Sequence, residues 1–187
     1  CLAENAIDAA SYKPGDVFTG YAGKSVEIAN TDAEGRLILA DANAYVSKNY
    51  PVGTLVNIAT LTGAVLIALG QDHTGLMSDD DALAESLLAC GRAVNDPVWR
   101  LPIYPELVKY IKARIADLRN TATPKGQAGT ITAGAFLRQF VDPSIKWAHL
   151  DIAGTAFINQ SEHSYYNIGA TGAGVRLLTA FVRGGKI

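Results

Sequence analysis

Residues 54–69, TLVNIATLTGAVLIAL, decide the fold class. The first eight are mostly apolar and rich in β-branched residues, which predicts an interior strand covered on both faces, as in a parallel α/β sheet. A tight turn follows, and then an apolar segment that closes at Gly70. Open α/β folds bind ligands beside such turns, at the carboxyl ends of their strands. The stretch therefore predicts an α/β fold and either a ligand site at this turn or a well-packed crossover without one.

Periodic segments on both sides extend the α/β pattern. A second interior strand is predicted at 147–153, and residues 1–10 are interpreted as the end of a helix. Three prolines predict a loop at 96–105, and the polar stretch 116–129 is expected to lie over a site rather than in a core. The glycine-rich stretch 169–174 lacks the P-loop Lys and Ser/Thr, so it is interpreted as a close approach of a helix to the sheet. Helices are predicted at 36–48, 82–94, 130–140 and 173–183, a helix start at 106–111, and short strands at 24–29 and 75–78.

Composition narrows the class of protein. The chain has 187 residues, 49% of them hydrophobic and 18% charged, which is typical of one globular domain. A net charge of -2 gives no electrostatic attraction for nucleic acid or an anionic membrane. No apolar run approaches the ~20 residues of a membrane span. Cys1 and Cys90 do not make a disulfide framework, so a reducing compartment and a cytoplasmic location are expected.

The residues with a candidate catalytic or metal-binding role lie in NTDAEGRLILADA, residues 30–42. This stretch begins with polar and acidic residues and continues with the apolar periodicity of a helix. Asp32 and Glu34 stand immediately before that helix, where its dipole and its free first-turn amides favour carboxylates. One interpretation is a capping device built from these residues. The other is a metal site, because hard divalent cations prefer carboxylate oxygens.

This stretch resembles the signature of the leucine (cytosol) aminopeptidases over 13 consecutive positions. Further segments match the same family in the same order: KPGDV, ATLTGA, GTITAGAFL, HLDIAGTA and ATGAGVRLL. The resemblance covers essentially the whole chain. It implies a three-layer α/β/α fold with a mixed, largely parallel sheet, like that of the zinc peptidases and truncated on its N-terminal side. Residues 1–187 are accordingly expected to form one portion of a catalytic domain.

The resemblance also implies an activity, the release of N-terminal residues from peptides by water activated between two metal ions. The cofactors would be two divalent cations, zinc or else manganese or magnesium, with Asp32 and Glu34 as ligands and Glu34 bridging the two. Arg36 would be catalytic, either directly or through a bound bicarbonate. The partners would be peptides with a free N-terminus and further copies of the chain, since the family assembles as hexamers. The pocket for the first side chain of the substrate would be lined by Thr60, Leu61, Gly63, Ala153 and Ala156.

The family needs further aspartate and lysine residues from segments that precede the position of Cys1. We therefore expect the 187-residue chain alone to be inactive. An alternative from another class is a non-catalytic module for packing or oligomer assembly, and DNA binding is a third hypothesis that the acidic balance disfavours. His149 and Asp151 fall on one strand face, but a structural role is preferred to a metal site there, because a single strand histidine is more often hydrogen-bonded.

Overall fold

The computed structural model describes residues 3–159 and 166–184. Strands and helices alternate along these ranges, and the predicted α/β class with a mixed sheet is confirmed. The strands are β1 (Val17–Thr19), β2 (Ser25–Glu27), β3 (Thr54–Ala59), β4 (Thr74–Ser78), β5 (Val98–Arg100), β6 (Leu118–Arg119), β7 (Lys146–Asp151), β8 (Phe157–Ile158) and β9 (Gly169–Ala170). The α-helices are α1 (Gly35–Asn49), α2 (Gly63–Leu69), α3 (Asp81–Ala93), α4 (Gly129–Arg138) and α5 (Val175–Arg183), and a 3₁₀ helix spans Pro105–Ile111.

The chain divides into two compact units. The first comprises Cys1–Leu55 and Tyr104–Ile145, and the second Val56–Ile103 and Lys146–Ile187. Each unit therefore draws on two separate parts of the sequence. The expectation that residues 1–187 form one portion of a catalytic domain stays a prediction.

The first unit is built on a three-stranded sheet with the order β1-β2-β6. Strand β2 runs antiparallel to β1 and parallel to β6, with Val26 opposite Leu118. Helix α4 packs against α1 and against the 3₁₀ helix. The apolar side chains buried in this unit include Val26, Ile28, Leu37, Ala40, Leu107, Ile111, Leu118, Phe136 and Leu137.

The second unit contains a four-stranded sheet with the order β3-β7-β4-β5. A hydrogen bond from Ile152 N to Ala59 O (2.9 Å) joins the carboxyl ends of β3 and β7, so these two strands run parallel. Strand β7 is antiparallel to β4, and β4 is parallel to β5. Helices α3 and α5 pack against each other over a core formed by Leu76, Leu83, Ala84, Leu87, Val98, Ala148, Leu150, Leu177 and Phe181.

Most predicted helices are confirmed to within two residues at their starts and ends. Helix α3 begins after Asp80, whose carboxylate accepts a hydrogen bond from Leu83 N at 2.7 Å and so caps the helix. The glycine-rich stretch before α5 also behaves as predicted. Gly174 has a φ of 84°, which favours glycine, and an added Cβ atom would lie 2.3 Å from Ile58 Cδ1 of β3, so a larger residue would also require the Ile58 side chain to move.

The prediction that residues 54–61 form an interior strand is wrong. Strand β3 is the first in the order of its sheet, and within the described part of the chain β7 is its one neighbour. All six of its residues are half-buried. An apolar run reports how the two faces of a strand are covered, but it carries no information on how many strands pair with its edges.

Other segments also differ from the sequence-based expectation. Residues 3–10, which were expected to end a helix, are not helical. They are exposed, and a short helix needs a core to pack on. A turn in which Asp8 N donates to Ser11 Oγ at 2.9 Å takes the place of the helix. The predicted loop 96–105 contains β5, since its prolines flank the paired residues and leave their amides available. The polar stretch 116–129 contains β6, and the 106–111 helix has 3₁₀ geometry. Among the described residues, no helix has the length and apolar character needed to cross a membrane.

Candidate active site

The segment 30–34, called the signature turn here, leads directly into α1. Asn30 organises it, since its Oδ1 accepts from Asp32 N at 3.1 Å and its carbonyl oxygen accepts from Ala33 N at 3.3 Å. An asparagine that bonds the backbone two residues ahead is typical of such turns. Helix α1 then begins at Gly35, and the next residue, Arg36, is only 9% exposed.

The carboxylates of Asp32 and Glu34 do not act as helix caps. Glu34 occupies the N-cap position of α1 with helical backbone angles, and its side chain forms no cap hydrogen bond. Asp32 is exposed and Glu34 is half-buried. Within residues 3–159 and 166–184, neither carboxylate forms a hydrogen bond or an ion pair. The capping interpretation is therefore not supported, and four carboxylate oxygens remain available to a ligand.

Asn120 fixes the signature turn from the end of β6. Its side chain is fully buried, and its Oδ1 accepts from Ala29 N at 2.8 Å and from Asn30 N at 3.2 Å. Its Nδ2 donates to Asn30 O at 2.6 Å and to Ala33 O at 3.4 Å. One amide group thus holds the backbone on both sides of Asp32. The sequence gives no signal for this role, since Asn120 lies in the polar stretch 116–129 that is expected to lie over a site rather than in a core.

Tyr12 is a second neighbour of the signature turn that the sequence did not indicate. Its hydroxyl donates to Thr31 O at 3.3 Å. Burial raises the pKa of Tyr12, and the negative charge of Glu34 raises it further. The phenol therefore remains neutral at neutral pH and shares the electrostatic environment of the Glu34 carboxylate.

A cavity of about 530 Å³ opens beside the signature turn within the first unit. Its wall combines three cationic side chains with backbone and small polar groups, and it includes no carboxylate. The lining residues are Ala29, Asn30, Arg36, Arg119, Thr121, Ala122, Thr123, Lys125, Gly126, Gln127, Gly129 and Thr132. This cation-lined cavity is formed largely by the polar stretch that was expected to lie over a site.

In the second unit, Asp151 at the end of β7 organises the residues predicted to line the substrate pocket. Its Oδ1 accepts from Leu61 N at 3.0 Å, Thr62 N at 3.4 Å and Ala153 N at 3.2 Å, and its Oδ2 accepts from Thr62 Oγ1 at 2.6 Å. Asp151 is fully buried. Burial raises the pKa of its carboxyl group, although these hydrogen bonds lower it. One carboxylate thus joins the turn after β3 to the turn after β7.

The predicted pocket residues lie on these two turns. Thr60 is exposed and Leu61 is half-buried in the turn after β3, and Gly63 is the exposed first residue of α2. Ala153 and Ala156 are half-buried in the turn after β7, where Ala156 N donates to Ile152 O at 2.9 Å. Asp151 therefore brings Leu61 and Ala153 together through their backbone amides.

His149 has the geometry of a structural residue. It is fully buried in β7, and its Nδ1 lies 2.8 Å from Asn57 Oδ1. No group of three or more His, Cys, Asp or Glu side chains arranged to hold a metal ion occurs among the residues that the structure describes. The assignment of Asp32 and Glu34 as metal ligands therefore stays a prediction.

Comparison with known proteins gives a consistent assignment. Residues 1–179 match the model of the cytosol aminopeptidase family, catalytic domain. A probable cytosol aminopeptidase of Protochlamydia amoebophila (strain UWE25) is 50% identical over 181 residues, which cover 96% of this chain and 36% of the relative. One from Rhodopseudomonas palustris (strain BisB5) is 48% identical, over 97% of this chain and 35% of the relative.

A solved structure, a mutant of tomato leucine aminopeptidase, superposes with a TM-score of 0.88 at 40% identity. The match covers 96% of this chain and 34% of that one. The chain thus spans about a third of the length of the relatives it matches.

Proposed function

Because the chain belongs to the cytosol aminopeptidase family, we propose that it contributes to a metal-dependent site that removes N-terminal residues from peptides. The observation that supports this proposal most directly is the state of Asp32 and Glu34. Both residues belong to the signature turn that Asn120 fixes, and within the described residues neither carboxylate is engaged in capping or in an ion pair. Carboxylates in such a state are suited to bind a cation.

The chemistry of these residues fits two divalent cations, either zinc or manganese or magnesium. Asp32 would hold one cation, and Glu34, with two oxygens on a flexible side chain, would be shared between both. Bound divalent cations lower the pKa of water and polarise a carbonyl oxygen. Arg36, two positions after Glu34 in the sequence and buried, would add a positive charge near these ligands and would orient an anion such as bicarbonate.

The substrates we propose are peptides with a free N-terminus. Thr60, Leu61, Gly63, Ala153 and Ala156 would contact the first side chain of the peptide. The pocket would be shaped mainly by backbone and small side chains, and Asp151 would keep two of these residues in register through their amides. The homo-hexamer and the cytoplasmic location implied by the family resemblance stay predictions.

The 187-residue chain alone should bind metal weakly and show no turnover. Asp32 and Glu34 supply at most four oxygens, and two cations about 4 Å apart repel each other unless further ligands compensate their charge. The alternative role in packing or oligomer assembly makes a different prediction, since it requires no metal at all.

The test is a comparison of metal stoichiometry and leucyl-peptide hydrolysis in the natural full-length protein and its variants. Glu34→Ala should abolish turnover and reduce the bound metal, because both cations lose a shared ligand. Arg36→Ala should slow hydrolysis and leave the metal content largely intact. Glu106→Ala and Arg114→Ala are matched controls, since both residues are exposed in the first unit and away from the signature turn. A Glu34→Ala protein that retains two metals and full activity would refute the assignment.

A further inference from the structure

The cation-lined cavity carries a concentration of positive charge that metal binding by Asp32 and Glu34 does not account for. Arg36, Arg119 and Lys125 all contribute to its wall, and no acidic side chain of the described residues lines it. Positive charges that converge on a cavity repel one another, and an anion bound among them reduces that repulsion. The cavity is therefore suited to a ligand that carries negative charge.

Arg119 and Lys125 have no acidic partner in the described part of the chain. No carboxylate forms an ion pair with either side chain there. Arg119 donates from Nη1 to the hydroxyl of Thr123, which orients the guanidinium group, while its Nε is buried without a hydrogen-bond partner among these residues. A planar guanidinium group held in this way is well suited to bind a carboxylate through two hydrogen bonds.

The size and position of the cavity favour a ligand larger than an inorganic ion. Its volume of about 530 Å³ is many times the ~30 Å³ occupied by one water molecule. Asn30 and Arg36 line it, and in the sequence these two residues flank Asp32 and Glu34. A group bound here would therefore lie next to the signature turn, which carries the residues that we assign to the metal ions, although neither Asp32 nor Glu34 lines the cavity.

We propose that this cavity binds a carboxylate of the peptide substrate on the leaving-group side of the scissile bond, with Arg119 and Lys125 as its ligands. The inference rests on the proposed aminopeptidase function. A dipeptide presents its C-terminal carboxylate one residue beyond the bond that is cut, and a longer peptide can present an acidic side chain instead. The substrates preferred by this site are therefore short peptides with a free C-terminal carboxylate.

The kinetic test compares leucylglycine with leucylglycinamide, which differ only in the charge of the leaving group. The metal-loaded full-length protein should show the higher kcat/KM for the acid. Arg119→Gln should reduce the acid-to-amide ratio about tenfold, and Lys125→Gln, which removes an exposed and more screened charge, about threefold. Arg119→Lys should retain most of the preference, and Arg114→Gln should leave the ratio unchanged. Ratios that are unchanged in both glutamine variants would overturn the proposal.

A binding test decides whether the cavity holds a carboxylate even if no hydrolysis is detected. Absence of hydrolysis would refute the proposed function and leave this binding test unaffected. The metal-free protein is titrated with N-acetylglycine, with N-acetylglycinamide and with bicarbonate. We expect N-acetylglycine to bind, the amide not to bind, and Arg119→Gln to weaken the acid about tenfold. If bicarbonate alone binds, with an affinity that depends on Arg36 but not on Arg119, the occupant is a free inorganic anion and the proposal is wrong.

Discussion

The buried amide of Asn120 offers the sharpest test of how the signature turn is held. Asn120→Ala removes four hydrogen bonds to the backbone of Ala29, Asn30 and Ala33. Each hydrogen bond contributes about 0.5–1.5 kcal/mol, and a buried group left without a partner costs about 1–3 kcal/mol. Water can reach the half-buried Ala29 and Asn30 and recover part of that loss. We therefore expect the free energy of unfolding to fall by about 2–4 kcal/mol.

Urea denaturation at 25 °C measures this change, provided that the dependence of the free energy on urea is the same in both proteins. Asn49→Ala is the matched control. Its amide also donates twice, to Tyr21 Oη at 3.0 Å and Tyr45 O at 2.8 Å, but Asn49 is exposed, so its loss should cost under about 1 kcal/mol. If the free energy of unfolding of Asn120→Ala lies within about 0.5 kcal/mol of the wild-type value, Asn120 does not hold the signature turn as described. In the metal-loaded protein the same variant should lose metal affinity, whereas Asn49→Ala should not.

Three further predictions concern the second unit. The pKa of Asp151 is raised in the folded state, whereas in the unfolded state it is near 3.8. The folded state therefore binds the proton of Asp151 more tightly than the unfolded state does. Ionisation of Asp151 then lowers the free energy of unfolding as the pH rises from 3.8 through the folded pKa. Asp151→Asn should abolish that component, and identical pH–stability slopes for the two proteins as the pH rises from 3.8 would contradict it. Gly154→Ala should destabilise the fold by about 1–3 kcal/mol in thermal or urea unfolding, because the added Cβ would lie 2.2 Å from Gly70 O. Gly53→Ala, with no atom within 4 Å of its added Cβ, is the control that should change little. Asp80→Ala should cost about 1 kcal/mol in the same assay through the loss of the N-cap of α3, and a cost near zero would show that the cap is dispensable.

Local patterns predicted the helices well and the strand neighbours poorly. The periodicity of residues 82–94 is a local property, and α3 follows it closely. The position of β3 at the edge of its sheet depends on which strands pair with it, and no window of sequence contains that information. Residues 3–10 have a helical pattern, but a short helix needs a packing surface, and these residues are exposed.

The candidate site divides in the same way. Asp32, Glu34 and Arg36 are recognisable because they stand together in eight residues of sequence. Asn120 and Asp151 are not, since each acts on backbone groups about ninety residues away. A polar residue in a variable-looking loop and an acidic residue in an apolar strand give no local signal of what they hold. Sequence reasoning therefore yields candidate ligands from a local motif, whereas the backbone contacts of Asn120 and Asp151 become visible only in the structure.

The way in which Asp151 holds its neighbours has a consequence for how substrate preference can change. It binds Leu61 and Ala153 through main-chain amides, which every residue except proline possesses. The side chains at these two positions are therefore not needed to keep the turns in place. Mutations there can alter the shape of the surface without loosening the scaffold beneath it, so natural drift or directed evolution can explore new specificities at little cost in stability.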